Sequence, residues 1–238
     1  MSMPGHAMVL AAGKGLRMRP LTEHMPKPLI PVAGRSMLDR AFDRLDEAHV
    51  RHRVVNVHWL AEQIAAHLAN HAGVILSHED VLLETGGGVA NALPLLGEGA
   101  FFVCNADTIW LDGARPALAR LAETWDDARM DALLLLQPVA QAFGYEGPGD
   151  FNRADDARLE RRGDGSRAPF VFTGVQILHP RLFDGAPRGA FSLNILYDRA
   201  ERAGRLFGLV HDGAWLHIGT PETLAAAEAW FAAREAKA

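Results

Sequence analysis

Met8-Val9-Leu10-Ala11-Ala12-Gly13-Lys14-Gly15-Leu16-Arg17-Met18-Arg19-Pro20-Leu21-Thr22, followed by Pro26-Lys27-Pro28-Leu29-Ile30-Pro31-Val32, carries more information than the rest of the 238-residue chain. An apolar strand runs into a loop with two glycines, and three cations, Lys14, Arg17 and Arg19, follow closely. A fourth, Lys27, stands between two prolines. Glycines let backbone N–H groups approach phosphate oxygens, and Lys or Arg neutralises the remaining charge. The spacing excludes two common phosphate loops. Nothing fits G-x-x-x-x-G-K-[ST], and the dinucleotide fingerprint would need a glycine where Met18 stands. A lone G-x-G is compatible with a plain strand-to-helix turn; with the later P-K-P it reads as a phosphate cradle.

Size and composition agree with one α/β domain of an ordinary globular enzyme: 49% of residues are hydrophobic and 22% charged. The net charge of −5 gives no electrostatic reason to expect nucleic-acid binding. Cys104 is the only cysteine, so no intrachain disulfide can form and a reducing compartment fits. No signal peptide and no run of ~20 apolar residues is evident. The expectation is a cytoplasmic protein that binds neither membrane nor nucleic acid, monomeric or homodimeric.

Short apolar runs predict strands at Ala7–Ala11, Arg53–Val57, Val74–Ser77, Phe101–Asn105, Ala132–Gln137, Phe170–Leu178 and Leu206–Val210. Helical spacing joins Leu38, Phe42 and Leu45, and Leu60, Ile64 and Leu68; further helices are expected at Leu193–Ala203 and from Pro221, with Thr220 as N-cap. Strands alternating with helices imply βαβ units and a mostly parallel sheet, with ligands beyond the carboxyl ends of the strands. The Gly13 loop and Asp107 then share a rim. After Gln137 the pattern changes. The reading divides one domain of residues 1–238 into a nucleotide-binding core (1–139), an acceptor insertion (140–215) and a C-terminal helical segment (216–238). No hexapeptide repeats occur, so no fused β-helix is expected.

The segments L-A-A-G-x-G-x-R-x-x-P-L-T and P-K-P-L-x-P-V resemble the signature of the sugar-1-phosphate nucleotidylyltransferases. Glu84-Thr85-Gly86-Gly87-Gly88, Asn105-Ala106-Asp107 and Trp215-Leu216-His217-Ile218-Gly219-Thr220 follow in family order. Leu83–Gly88 with Gly149-Asp150-Phe151 most resembles the short subgroup of N-acetylmuramate-1-phosphate uridylyltransferases of cell-wall recycling. The resemblance implies a Rossmann-like, nucleotide-diphospho-sugar transferase fold with a small sugar-binding insertion. It implies coupling of a nucleoside triphosphate, UTP favoured, to a sugar 1-phosphate, with release of pyrophosphate. Mannose-, glucose- or heptose-1-phosphate guanylyl- or thymidylyltransfer and phosphocholine cytidylyltransfer keep the same chemistry. A nucleotide-sensing regulatory subunit without turnover is the alternative of another class.

Such a reaction needs no protein nucleophile, only two polyanions held in line with their charge screened. Arg17 is the candidate for the departing β/γ-phosphates, and Lys27 for the α-phosphate and incoming sugar phosphate. Asp107, just past a buried strand, suits Mg²⁺, which takes one or two carboxylates and completes its shell with phosphate and water; a capping role is the plain alternative. Nucleotide contacts are expected from Ala11, Ala12, Gly13, Gly15, Leu16, Arg17 and Lys27. They are also expected from the glycine turn Glu84, Thr85, Gly87 and Gly88. Sugar contacts are expected from Asn105, Asp150 and, more weakly, Asn194. Two departures from the pattern stand out. Ala106 replaces the glycine of N-G-D, and His217 replaces the second aspartate of W-x-D-x-G-T. Imidazole suits Mn²⁺, Zn²⁺ or Co²⁺ better than Mg²⁺, so His217 either joins a softer ion or hydrogen-bonds a phosphate.

Overall fold

The computed structural model describes residues 3–165 and 167–236. The first half holds strands β1 (His6–Leu10), β2 (Pro31–Val32) and β3 (Arg35–Ser36), then α1 (Met37–Glu47), β4 (His52–Val57), α2 (Ala61–Leu68) and β5 (Val74–His78). Next come α3 (Glu84–Ala92), β6 (Phe101–Asn105), β7 (Thr108–Leu111), α4 (Ala117–Thr124) and β8 (Ala132–Pro138). The second half adds β9 (Ala142–Phe143), β10 (Phe151–Arg153), β11 (Leu159–Arg161), β12 (Phe170–Leu178), α5 (Asn194–Arg202), β13 (Leu206–Val210), β14 (Ala214–His217) and α6 (Pro221–Glu235).

Nine strands make the central sheet, in the order β11-β10-β12-β6-β1-β4-β5, with β8 pairing β12 and β13 pairing β8. β6, β1, β4 and β5 run parallel; β6, β1 and β4 are apolar and largely buried, and β5 is the partly exposed edge. β12 is antiparallel to β6, with Val175 opposite Cys104. Its register against β8 shifts between Phe172 and Gln176, beside the rim residue Asn105. One face buries Leu38, Phe42 and Leu45 of α1, Ile64 of α2 and Leu118 and Leu121 of α4. The other buries Val89 of α3 and Leu196, Tyr197 and Ala200 of α5. A smaller cluster joins Met18, Ile30, Met37, Ile109, Leu216, Ile218 and Ala227 beneath α6 and the small sheet β7-β14-β9.

Thr220 caps α6: its hydroxyl accepts from the Thr223 N–H at 3.3 Å, and Pro221 opens the helix. Two sequence expectations need redrawing. The division at residue 140 does not interrupt the sheet, because β12 and β13 from beyond it are central-sheet strands. Nor is Glu84–Gly88 a turn. The three glycines form the first turns of α3, and the one residue there with positive φ is Glu84, at 59°. Packing overrides the poor helix propensity of glycine.

Candidate active site

β1 delivers the chain at Leu10 to the carboxyl edge of the sheet, where Ala106 N–H donates to the Leu10 carbonyl at 3.0 Å. The Ala11 N–H donates to Asn56 Oδ1 at 2.8 Å. At Gly15 the backbone is left-handed (φ 60°), and a Cβ would lie 2.9 Å from the Thr22 methyl and 3.1 Å from Lys27 Cβ. Only glycine meets both demands. The Gly15 carbonyl accepts from Thr22 Oγ1 at 2.8 Å and from Met18 N–H at 2.9 Å. Met18 is fully buried in the small cluster and moors the loop, leaving its neighbour Arg17 exposed on the cleft. From the start of α2, Trp59 Nε1 and Gln63 Nε2 each donate at 2.9 Å to the carbonyls of Thr22 and His24.

Lys27 sits in a one-turn 3₁₀ segment between its prolines and is buried. Its Nζ lies 2.8 Å from Asp107 Oδ2; the Lys27 side chain is 8% exposed, that of Asp107 40%. These side chains share a cleft of about 500 Å³. Of the residues expected from sequence, Ala11, Ala12, Gly13, Gly15, Leu16, Arg17, Lys27, Glu84, Thr85, Asn105 and Asp107 line it. His217 stands just behind, at the end of β14: its Nε2 and an Arg17 nitrogen both lie within 3.6 Å of the point where a Gly219 Cβ would be. Burial holds the His217 imidazole below its usual range. Lys27 and Arg17 push the same way, and Asp107 opposes.

Gly87 and Gly88 are outside the cleft. A Cβ on Gly86 would collide with the Phe191 ring, one on Gly87 with the Gly189 carbonyl, and one on Gly88 with Asn56 and Glu79. The N–H groups of Gly86 and Gly87 both donate to the Phe191 carbonyl, at 2.8 and 3.0 Å. The start of α3 therefore spends these donors within the protein.

Asp150 and Asn194 line a second cavity of about 570 Å³, bounded by Phe151, Arg161, Phe172 and Tyr197. One Asp150 oxygen accepts from Phe172 N–H at 2.9 Å, so the carboxylate also fixes the strand beside it. Leu193, the N-cap of α5, donates its N–H to Thr85 Oγ1 at 3.0 Å, linking the helix that carries Asn194 to the first cleft's wall. The Tyr145 ring meets His217 edge-on at 6.0 Å, and its hydroxyl accepts from Gly149 N–H at 3.1 Å, next to Asp150.

Among the described residues, no group of three or more His, Cys, Asp or Glu side chains is disposed to hold a metal ion. The donor set is one rim carboxylate with an imidazole behind it. That suits an ion whose shell is completed by phosphate oxygens and water, and does not suit a closed protein cage.

Residues 7–183 match the family described as MobA-like NTP transferase domain. The chain belongs to this family. Two curated relatives match nearly its whole length. N-acetylmuramate alpha-1-phosphate uridylyltransferase of Caulobacter vibrioides is 42% identical, over 95% of this chain and 96% of the relative. The enzyme of the same name from Neisseria meningitidis serogroup B is 35% identical, over 94% and 99%. The solved UDP-glucose pyrophosphorylase in complex with UDP-glucose superposes with a TM-score of 0.80 over 96% of this chain and 98% of that one; at 14% identity it shows the shared fold. This MobA-like chain is an enzyme, a nucleotidyltransferase.

Sequence reasoning gave no site role to Asn56, Glu79 or Leu82, and named Gly219 only as part of the Trp215–Thr220 segment. Asn56 carried a readable signal: a polar residue near the end of the apolar run Val54-Val55-Asn56-Val57, at the carboxyl edge where ligands bind. Glu79, in a loop among exposed charges, carried none.

Proposed function

We propose that the chain couples UTP to N-acetylmuramate 1-phosphate, giving the UDP-sugar and pyrophosphate. One observation carries the chemistry: Arg17, Lys27 and Asp107 border one cleft at the sheet edge, with the last two in contact. The 42% identity across both full lengths supports the substrate choice. An oxygen of the sugar phosphate attacks the α-phosphorus, the new O–P bond forms, the Pα–O–Pβ bond breaks, and its electrons leave on pyrophosphate. The nucleophile is already an anion, so no base is required. Lys27 neutralises charge between the α-phosphate and the incoming phosphate, while Arg17 holds the departing β/γ-phosphates. Ala11, Ala12, Gly13, Gly15 and Leu16 offer backbone to the phosphates, and Glu84 and Thr85 border the base.

Asp107 would hold a divalent cation of the Mg²⁺ type, with His217 admitting Mn²⁺, and that ion supplies neutralisation of the triphosphate. Asn105 guides the acceptor toward the second cavity, where Asp150 and Asn194 accept and donate to sugar hydroxyls or the acetamido group. The reaction serves recycling of cell-wall sugar in the cytoplasm, by a monomer or homodimer. Among the described residues no helix is long and apolar enough to cross a membrane.

The test is pyrophosphate release from four nucleoside triphosphates against a panel of sugar 1-phosphates. UTP with N-acetylmuramate 1-phosphate should give the highest kcat/KM. Preference for GTP with mannose 1-phosphate would overturn the substrates and keep the chemistry. Silence across the panel would favour a nucleotide sensor.

A further inference from the structure

Glu79 is a buried acid outside the set of residues given a chemical role. It is 5% exposed, and no ion pair involves it among the described residues. A polar group removed from water requires hydrogen-bond compensation. Two N–H donors supply it. Asn56 Nδ2 donates to Glu79 Oε1 at 2.7 Å, and the Leu83 N–H donates to Glu79 Oε2 at 2.8 Å. Asn56, itself 3% exposed, turns its other end to the phosphate loop, where its Oδ1 accepts from the Ala11 N–H. The orientation of this amide is forced, since a backbone N–H can only donate.

The Glu79 backbone is fixed from both sides. Its N–H donates to the Val57 carbonyl at 3.0 Å, and its carbonyl lies 2.9 Å from His58 Nδ1. Gly88 completes the arrangement: a Cβ there would stand 2.8 Å from both Asn56 Nδ2 and Glu79 Oε1. The line Ala11–Asn56–Glu79–Leu83 therefore runs from one wall of the cleft to the other. It ends one residue before Glu84, whose left-handed backbone aims the second wall into the cleft.

We propose that Asn56 and Glu79 form a polar strut that sets the spacing between the phosphate loop and the Leu83–Thr85 segment, and so positions the nucleoside triphosphate. The two are positioning residues, acting through backbone they hold. The inference rests on the reading that this cleft takes the triphosphate.

The strut has a directionality that can be reversed. Glu79→Gln puts an NH₂ group against either Asn56 Nδ2 or the Leu83 N–H, and flipping Asn56 only moves the conflict to Ala11. Asn56→Asp sets two carboxylates face to face. In the double variant Asn56→Asp/Glu79→Gln every partner is again complementary. The new carboxylate at position 56 accepts from the Ala11 N–H and from the new amide at position 79, whose oxygen accepts from the Leu83 N–H.

UTP affinity by titration calorimetry, KM for UTP and for the sugar 1-phosphate, and melting temperature would be measured on wild type, both single variants and the double. Each single variant should lose about ten- to a hundredfold in UTP affinity while KM for the sugar phosphate moves less than about threefold. The double variant should regain at least tenfold over the weaker single. If a single variant does not fold, the folded double with its UTP affinity decides. Singles that bind UTP like wild type would overturn the strut. So would a double no better than the weaker single, or an equal rise in both KM values. A wild type that binds no nucleoside triphosphate would instead remove the site reading on which the strut stands.

Discussion

Gly13 and Gly15 in the first loop line the cleft, whereas Gly86, Gly87 and Gly88 at the start of α3 lie outside it. The two segments use glycine differently. Gly13 meets no atom within 4 Å of where its Cβ would be, so its bare backbone faces space that a ligand can occupy. Gly15 supplies a left-handed turn beside Lys27. The second segment points inward. Its glycines are helical, and their missing Cβ atoms make room for Phe191, Gly189, Asn56 and Glu79. Gly13 leaves backbone open to the cleft, while Gly15 and the glycines of the second segment make room for the rest of the protein. The same residue type therefore places different demands on substitution in the two segments.

The largest effect belongs to Lys27, which packs beside Gly15 of the first segment. Lys27→Ala should lower kcat about 10²–10³-fold, the usual scale for losing one charge-stabilising donor, with little loss of melting temperature because Asp107 can turn to water. A melting temperature that collapses in step with kcat would make Lys27 structural and blur the contrast. In the second segment, Gly86→Ala should cost about 1–3 kcal/mol of stability by overpacking against Phe191, read by denaturant unfolding. Gly13→Ala should fold with stability within about 0.5 kcal/mol of wild type, as surface changes do. Its signature is a rise in KM for the nucleotide alone. Wild-type KM in that variant would show that the open backbone at Gly13 is not where phosphate approaches.

The smallest effect is one of pH, and it bears on how the comparison is measured. Burial lowers the pKa of His6, His179 and His211 below the ordinary 6.5, so the fold favours their neutral forms. Below about 6.5 the unfolded chain takes up protons more readily than the folded one, and stability is lost as pH falls from 7 through the folded values. Melting temperature should drop modestly between pH 7.5 and 5.5, equally in wild type, Gly13→Ala and Gly86→Ala. A flat or rising profile would contradict this, and unequal slopes would show that a glycine change had disturbed a buried histidine.

Much of this was legible in the residues because the central strands are continuous apolar runs. Phe101–Asn105, Phe170–Leu178 and Leu206–Val210 fall where the sequence puts them, and Thr220-Pro221 marks the start of α6. The rim location of the first loop and Asp107 follows from strand alternation alone. What could not be read depends on contacts distant in sequence. A helix opening on Thr-Gly-Gly-Gly contradicts local propensity and exists because Phe191, more than 100 residues later, supplies its acceptor. Asn56 and Glu79 meet only when β4 and the loop after β5 lie side by side. Strand pairing also joined β12 and β13 to the core sheet, where a shift in composition had suggested a separate insertion.

The contact between Lys27 and Asp107 has a consequence for the order in which charge enters the cleft. At 2.8 Å the ammonium already satisfies the carboxylate, so an incoming dication would have to evict a resident monocation. A polyphosphate would remove that opposition by offering the lysine a stronger anion and so freeing the aspartate. In the proposed reaction the two charges of this ion pair would part, each taking a new partner.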